Sequence, residues 1–308
     1  MDESDAAKLA DASPMLTPVL RQAMQQDFPP GLYLVATPIG NLADLTIRAA
    51  AILARADVIC CEDTRMTRRL LDAYAIAPNA LERYDDHTDA AARDRIVSRV
   101  ATGQRVVLVS DAGTPLFSDP GFKLVRHVRD AGHAVVPVPG PSAAVAAASA
   151  SGLPTDAILF AGFAPQKQAA RRRHLSAFKD TPATLVFYEA PHRLAAFLTD
   201  AAETFGDRAA VVARELTKRF ETFAEGSLNE LAASFGDAPP KGEIVVLIAR
   251  AAATAGDVTD EDIRARLAPL IAADGTSRAA RQVATDLGLP RARVYALANA
   301  LRNERGDD

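Results

Sequence analysis

Three short runs set acidic and basic side chains beside turn-forming residues. They are Glu62-Asp63-Thr64-Arg65, Phe187-Tyr188-Glu189-Ala190-Pro191-His192-Arg193 and Arg214-Glu215-Leu216-Thr217-Lys218. Each follows an apolar, β-rich stretch, so each set of charges falls at a strand end. Carboxylates and a lysine gathered there can move protons or hold a polar ligand; an interdomain ion-pair network is the rival reading. A longer loop, Ser110 to Gly121, carries Asp111 and Asp119 among two prolines and two glycines. Within it, Gly113 permits a positive φ or a close backbone approach. Ser118 is placed to cap the following helix, with Pro120 in its first turn. Pro139-Gly140-Pro141-Ser142 offers Ser142 as another N-cap, and the bare surface beside Gly140 hints at a ligand. The run Ala36-Thr37-Pro38-Ile39-Gly40-Asn41 is not GxGxxG, and no GxxxxGK[ST] occurs. The usual phosphate cradles are missing, which disfavours dinucleotide dehydrogenases and P-loop NTPases. A nucleoside-like ligand without phosphates stays open.

Such loops need elements to hold them. Strands are expected at Leu32–Thr37, Val58–Glu62, Val106–Asp111 and Ala134–Val138, with helices at 46–55, 66–75, 90–101 and 119–131 between them. This alternation means βαβ units and a largely parallel sheet, whose ligands bind beyond the carboxyl ends of the strands. A small-residue helix, Ser142–Ser151, closes the first half, and Gly152-Leu153-Pro154 reads as a linker. The second half has strands near 157–162, 183–188, 209–214 and 243–249, with helices near 167–178, 191–204 and 227–235. The expected division is a mobile arm over 1–30, α/β domains over 31–152 and 153–250, and a helical tail over 251–308. The last part of the tail reads as two helices joined by Gly288-Leu289-Pro290. That is helix-turn-helix spacing, with a small packing cap as the alternative.

Length and composition, 308 residues with 49% apolar and 24% charged, suit a soluble chain with two cores. The net charge of −4 argues against a general nucleic-acid binder. Residues 276–305, however, hold six arginines against one aspartate and one glutamate. Lys167, Arg171, Arg172 and Arg173 form a second basic cluster, read as a solvated helix face. Cys60 and Cys61 are adjacent on a strand and point to opposite faces, as buried reduced thiols in a cytosolic protein would. No histidine spacing suggests a metal, no apolar run would cross a membrane, and the acidic start is not a secretory signal. The expected location is cytoplasmic.

TPIGNLADLTIRAA, EDTRMTRRLL, VSDAGTPLFSDPGF, PGPSAA, FYEAPHR, ARELTK and KGEIVVL occur in this order. Together they resemble the ribosomal RNA small subunit methyltransferase I family of the tetrapyrrole methylase superfamily, the class III methyltransferases. The resemblance spans roughly residues 31–250, and the tail resembles that family's helical C-terminal region. It departs at the acidic arm and at Tyr84-Asp85-Asp86-His87-Thr88, where relatives tend to carry a His-x-His-Asn-like run.

The resemblance implies two α/β domains with S-adenosylmethionine in the interdomain cleft, usually in a homodimer. It implies 2′-O-methylation of a cytidine in the decoding region of small-subunit rRNA, free or in the assembled 30S subunit. It places Pro38, Asp111, Gly113, Leu116, Ser142, Tyr188 and Leu216 near the methyl donor. The reactive centre is expected to draw on Glu62, Glu189, Glu215 and Lys218, with Lys218 either a base of lowered pKa or a stabiliser of the developing alkoxide. Arg278, Arg281, Arg291 and Arg293 are expected to hold RNA. Two other readings are a small-molecule methyltransferase of tetrapyrrole type and a non-catalytic rRNA-binding protein. EDTR, SDAGTPLFSDPG and FYEAPHR speak against the former, and the charged strand ends against the latter.

Overall fold

The computed structural model describes residues 18–85, 89–236, 240–251, 259–287 and 289–304. Residues 1–17 of the expected arm, the Asp86–Thr88 run with His87, Gly288 and Arg305 lie outside the described residues. The chain joins the fold before residue 30. Residues 18–25 are helical, Phe28 is buried edge-on against Tyr33, and the Tyr33 hydroxyl donates to the Pro29 carbonyl at 2.6 Å.

Strands β1 (Gly31–Val35), β2 (Val58–Cys61), β3 (Leu81–Arg83), β4 (Arg105–Val109) and β5 (Val135–Val138) form the first sheet. Their order is β3-β2-β4-β1-β5, and every pairing is parallel. Helices cover both faces, which is why β2 and β4 are apolar almost throughout. Val35, Ile52, Ile59 and Val107 pack on one side, and Leu32, Cys60, Leu108 and Leu124 on the other. Burial pushes the Cys60 thiol up to about 12, so it stays protonated and inert. Because β1 lies between β4 and β5, the loops that leave these three strands meet at the carboxyl edge of the sheet.

The second sheet holds β6 (Ile158–Phe163), β7 (Thr184–Glu189), β8 (Ala209–Arg214), β9 (Thr222–Ser227) and β10 (Ile244–Ile248), in the order β6-β7-β10-β8-β9. Only β6 and β7 run parallel; the other pairs are antiparallel. Register decides the site here. Ile244 at the start of β10 faces Glu189 at the end of β7 and Arg214 at the end of β8. The charged ends of β7 and β8 and the Lys241-Gly242-Glu243 run therefore meet on one edge.

The helix Ala143–Ala150 joins the halves. Its Ala144, Ala147 and Ala148 are buried against Val186, Val211, Val245 and Leu247 of the second sheet, and Ile39 from the first half belongs to the same cluster. Small side chains let helix and sheet approach closely.

The basic cluster at 167–173 is not simply a solvated face. Asp200, buried on the helix Leu194–Phe205, accepts from Arg171 Nε at 2.7 Å, Arg172 Nε at 2.7 Å and Gln168 Nε2 at 3.2 Å. Burial disfavours the Asp200 charge, but these bonds hold its carboxyl below the usual range. Arg171 is buried too. The pairing fastens one helix to the next, and Arg172 also meets Glu203 at 2.6 Å.

The described residues of the tail form three helices, Asp260–Asp274, Thr276–Leu287 and Arg291–Glu304, one more than the pair legible at its end. A capping box between Thr259 and Asp262 starts the first. Ile263, Leu267, Val283, Val294 and Ala298 form a separate core.

Candidate active site

The loops after β1 and β4 are tied together. Thr37 and Gly113 exchange backbone hydrogen bonds, Thr37 N–H to Gly113 O at 2.9 Å and Gly113 N–H to Thr37 O at 3.0 Å. The Thr37 hydroxyl donates to the Ser110 carbonyl at 3.1 Å, and the Ser110 hydroxyl to the Gly113 carbonyl at 2.9 Å. Thr114 Oγ1 reaches the Pro141 carbonyl at 3.0 Å and draws in the loop after β5. Gly113 has φ +85°, as its position in the tight turn requires. Leu116 and Ser118 also take positive φ, 74° and 63°, and on the other side so do Glu215 and Thr217, 53° and 65°. Each such residue costs about 1–3 kcal/mol. The strain gathers in the two loops that face each other across the halves.

Between them lies a cleft of about 440 Å³. Glu62, Asp111, Gly113 and Asp119 line it from the first half, and Tyr188, Glu189, Leu216 and Glu243 from the second. Ile39, Ala143, Ile244 and Val245 give it apolar wall. Of the residues singled out in the sequence, Glu62, Asp111, Gly113, Tyr188, Glu189 and Leu216 thus meet. Pro38 stands between Thr37 and the lining residue Ile39 without lining the cleft itself.

Three expectations are corrected. Ser142 makes no capping bond; burial pushes the neighbouring Tyr188 phenol up, and Ser142 offsets a small part of that. Ser118 caps nothing, because the next helix starts after Gly121 and runs Phe122–Asp130. Gly140 faces protein: a Cβ there would stand 3.0 Å from the Ala36 Cβ, so the bare surface serves close packing against β1. Leu116 lies outside the cleft lining and packs into the first core, against Gly121.

The cleft lining is rich in carboxylates. Burial, then the Glu62 charge, with Asp111 adding, push the Asp119 carboxyl up to about 6, with the nearby Ser110 offsetting part of the rise. Glu189 behaves differently. Its side chain is buried, accepts the Ala190 N–H at 2.7 Å and pairs with Arg193 at 3.1 Å. Burial pushes its carboxyl up, and these partners offset only part of that. Glu189 therefore braces the turn after β7.

Glu215 and Lys218 stand behind Glu243. Lys218 Nζ donates to Glu215 Oε1 at 2.9 Å and to Glu243 Oε2 at 3.1 Å, and Glu243 N–H donates to Glu215 Oε1 at 3.0 Å. Burial works against the Lys218 charge, but the bonds to Glu215 and Glu243 outweigh it and raise its pKa. The same lysine holds the Glu215 carboxyl below its usual range. The sequence left open a lysine base of lowered pKa; the geometry gives a lysine kept protonated. Two glycines make room: a Cβ on Gly40 would fall 2.5 Å from Lys218 Cγ, and one on Gly242 2.2 Å from Glu215 Oε1.

Gly242→Ala is therefore expected to lower the unfolding free energy by about 1–3 kcal/mol, through positive φ and displacement of Glu215. Gly103→Ala is the control, with φ +90° and nothing within 4 Å of an added Cβ. Urea titration of both variants separates the two costs; equal losses would show that Glu215 is not displaced.

Sequence reasoning noted the Asp119 carboxylate in its loop without assigning it to the site, and missed Glu243, Phe117 and Phe163. Glu243 follows a glycine directly before an apolar strand, a signal that was readable. Phe117 and Phe163, both about half exposed, line the cleft and looked like ordinary apolar residues. Among the described residues no cluster of three or more His, Cys, Asp or Glu could hold a metal ion, and no helix is long and apolar enough to cross a membrane.

In the tail, Arg278, Arg281 and Arg291 line a pair of adjoining grooves. Arg293 lines neither and pairs with Asp260 at 2.8 Å.

Comparison with known proteins agrees with this geometry. Residues 31–232 match the family model of the tetrapyrrole (corrin/porphyrin) methylases. A ribosomal RNA small subunit methyltransferase I from Mesorhizobium japonicum is 47% identical over 281 residues, covering 90% of this chain and 94% of its own. Proteins of the same name from Xylella fastidiosa (51% identity, 73% and 83% coverage) and Neisseria meningitidis serogroup B (42%, 89% and 94%) are also similar. Among solved structures, a cobalt precorrin-4 methyltransferase superposes with TM-score 0.54 at 15% identity, over 71% of this chain and 94% of that one. A diphthine synthase gives TM-score 0.54 at 14% identity, over 71% and 89%. These two show the shared fold. The identity over most of the chain decides the family: this protein belongs to the ribosomal RNA small subunit methyltransferase I family of the tetrapyrrole methylases.

Proposed function

We propose that the protein transfers a methyl group from S-adenosylmethionine to the ribose 2′-hydroxyl of a cytidine in the decoding region of small-subunit rRNA. The substrate is that rRNA, alone or within the 30S subunit, and the working form is a cytoplasmic homodimer. The observation that carries the reading is the cleft where the two halves meet, with Glu62, Asp111 and Asp119 on one wall and, at the other, Glu243, which Lys218 and Glu215 hold from behind.

The residues fit the donor. S-adenosylmethionine carries a sulfonium and an ammonium group, and a carboxylate-rich cleft complements positive charge. Ile39, Ala143, Leu216 and Val245 suit an adenine ring, and the volume falls in the range of small-molecule sites. When bound, the donor supplies an electrophilic methyl carbon.

The chain's own residues do the rest. The hydroxyl loses its proton as the carbon–oxygen bond forms. Lys218 is already protonated, so it stabilises the developing oxyanion and the proton passes to a carboxylate at the cleft. Glu189, held by Arg193, fixes the turn that carries Tyr188 and Pro191. The exposed rings of Phe117 and Phe163 come from opposite halves and offer faces on which an unstacked nucleobase can rest. Leucine at both positions is expected to raise the KM for small subunits about 10-fold while S-adenosylmethionine affinity stays the same. A change in donor affinity instead would place these rings on the adenine side. Calorimetry for the donor, beside steady-state methylation of purified small subunits, tests the reading; a parent protein that binds no S-adenosylmethionine would sink it.

A further inference from the structure

The outer face of the tail differs in chemistry from the acidic cleft. Two adjoining grooves, of about 670 and 570 Å³, share Ser277, Arg281 and Tyr295. Arg291 and Asn299 also line one, Arg278 and Arg302 the other. Among the described residues that line them there are four arginines and neither aspartate nor glutamate, in a chain of net charge −4.

Spacing explains the arrangement. Residues 291, 295, 299 and 302 form one stripe of the last helix, and the fully buried Val294 and Ala298 flank it. Residues 277, 278 and 281 share a side of the helix before it, opposite the buried Val283. Ala292 and Ala296 keep the floor shallow. The Tyr295 ring stands in the middle, 44% exposed, its hydroxyl 3.2 Å from the Ser277 hydroxyl. Four guanidinium groups around an open aromatic ring on a floor of alanines match a chain of phosphates bearing unstacked bases. An acidic peptide would use the arginines and have no need of the ring. A duplex would hide its bases from it.

We propose that the groove between the helices Thr276–Leu287 and Arg291–Glu304 binds single-stranded RNA, with a base stacked on Tyr295 and phosphates on Arg281 and Arg291. This deepens the proposed function and rests on it for the identity of the natural ligand. The arginines position without reading sequence, while the ring selects single strands over duplex. Since the tail has its own hydrophobic core, it can hold a strand while the cleft works on a nucleotide elsewhere in the same RNA.

The test is fluorescence anisotropy on the full chain with a labelled mixed-sequence 10-mer RNA, single-stranded or annealed to its complement, across a salt series. The parent is expected to prefer the single strand. Arg281→Gln with Arg291→Gln should weaken it about 10-fold or more and flatten the log–log salt slope by about 1.4. Tyr295→Leu should weaken it about 5- to 50-fold and leave the slope unchanged. Tyr295→Phe, which keeps the ring, should bind as the parent does. Equal affinity of Tyr295→Leu and parent, equal binding of duplex, or a changed oligomeric state with RNA affinity unaltered would each overturn the proposal. Methylation of small subunits by the same variants separates the two levels: kcat at saturating substrate should hold while KM rises. A parent that methylates, with groove variants that bind and methylate alike, defeats the groove alone. A parent that binds the 10-mer through Tyr295 yet methylates nothing defeats the reading of the cleft and leaves the groove standing.

Discussion

Lys218→Gln is expected to lower kcat by about 10²- to 10³-fold while S-adenosylmethionine affinity stays within about twofold. Removing one donor aimed at a developing oxyanion typically costs that much. The lysine suits the role because Glu215 and Glu243 hold it protonated, and because Gly40 lets the first-half loop close over its alkyl chain. Its stabilising pairing is fully present below the unfolded-state lysine pKa and is lost only as pH rises through the raised folded value. Activity measured below that range should therefore show no limb from Lys218. A base of lowered pKa would give one near neutrality. Rapid-quench single turnovers of Lys218→Gln, beside calorimetry of the donor, check the prediction. A variant that turns over at the parent rate removes Lys218 from the chemistry.

Asp119→Asn is expected to weaken S-adenosylmethionine binding about 10- to 100-fold above pH 7, the usual worth of a hydrogen bond or close contact to a charged group. Parent affinity should climb as pH rises through about 6 and then level, because the carboxylate that attracts the cation exists only above that value. The asparagine variant should lack this rise. Stability moves the opposite way. The folded chain holds the Asp119 proton more tightly than the unfolded chain, so the ligand-free protein loses stability as pH rises from about 4 to 6. Asp119→Asn removes the loss. At pH 7 it should be more stable than the parent by roughly 1 kcal/mol, after allowance for solvent screening of a half-exposed group. Thermal unfolding at pH 4.5 and pH 7, with and without donor, reads both effects. A variant that is neither stabilised nor weakened in binding would mean that Asp119 is not strained toward the cleft.

Particular residues show what the sequence could and could not reveal. The parallel first sheet was legible because β2 and β4 are apolar on both faces and their helices follow at regular intervals. Strand β9 was not: Thr222–Ser227 is a half-exposed edge strand with Glu225 and Gly226 near its end, a pattern of weak β signal. The antiparallel β8 and β10 are as apolar as parallel strands, so their direction was hidden as well. Strand ends could be read as charged, which brought Glu62, Glu189, Glu215 and Lys218 to notice. Which charges face the cleft depends on contacts between distant segments. The Gly40–Lys218 approach and the Ile244 register to Glu189 and Arg214 leave no local trace. Arg171 shows the same limit: it looks like a surface charge until the buried Asp200 appears one helix away.

The central claim is that this cleft brings a methyl donor to a ribose of small-subunit rRNA. The most direct test incubates purified, unmethylated small subunits with the protein and methyl-labelled S-adenosylmethionine, then digests the rRNA to nucleosides for mass spectrometry. The account predicts label in 2′-O-methylcytidine, approaching one per subunit, confined to a decoding-region fragment and lost with Lys218→Gln. Label on a base, label in another nucleoside, or undiminished transfer by the Lys218→Gln protein would contradict it.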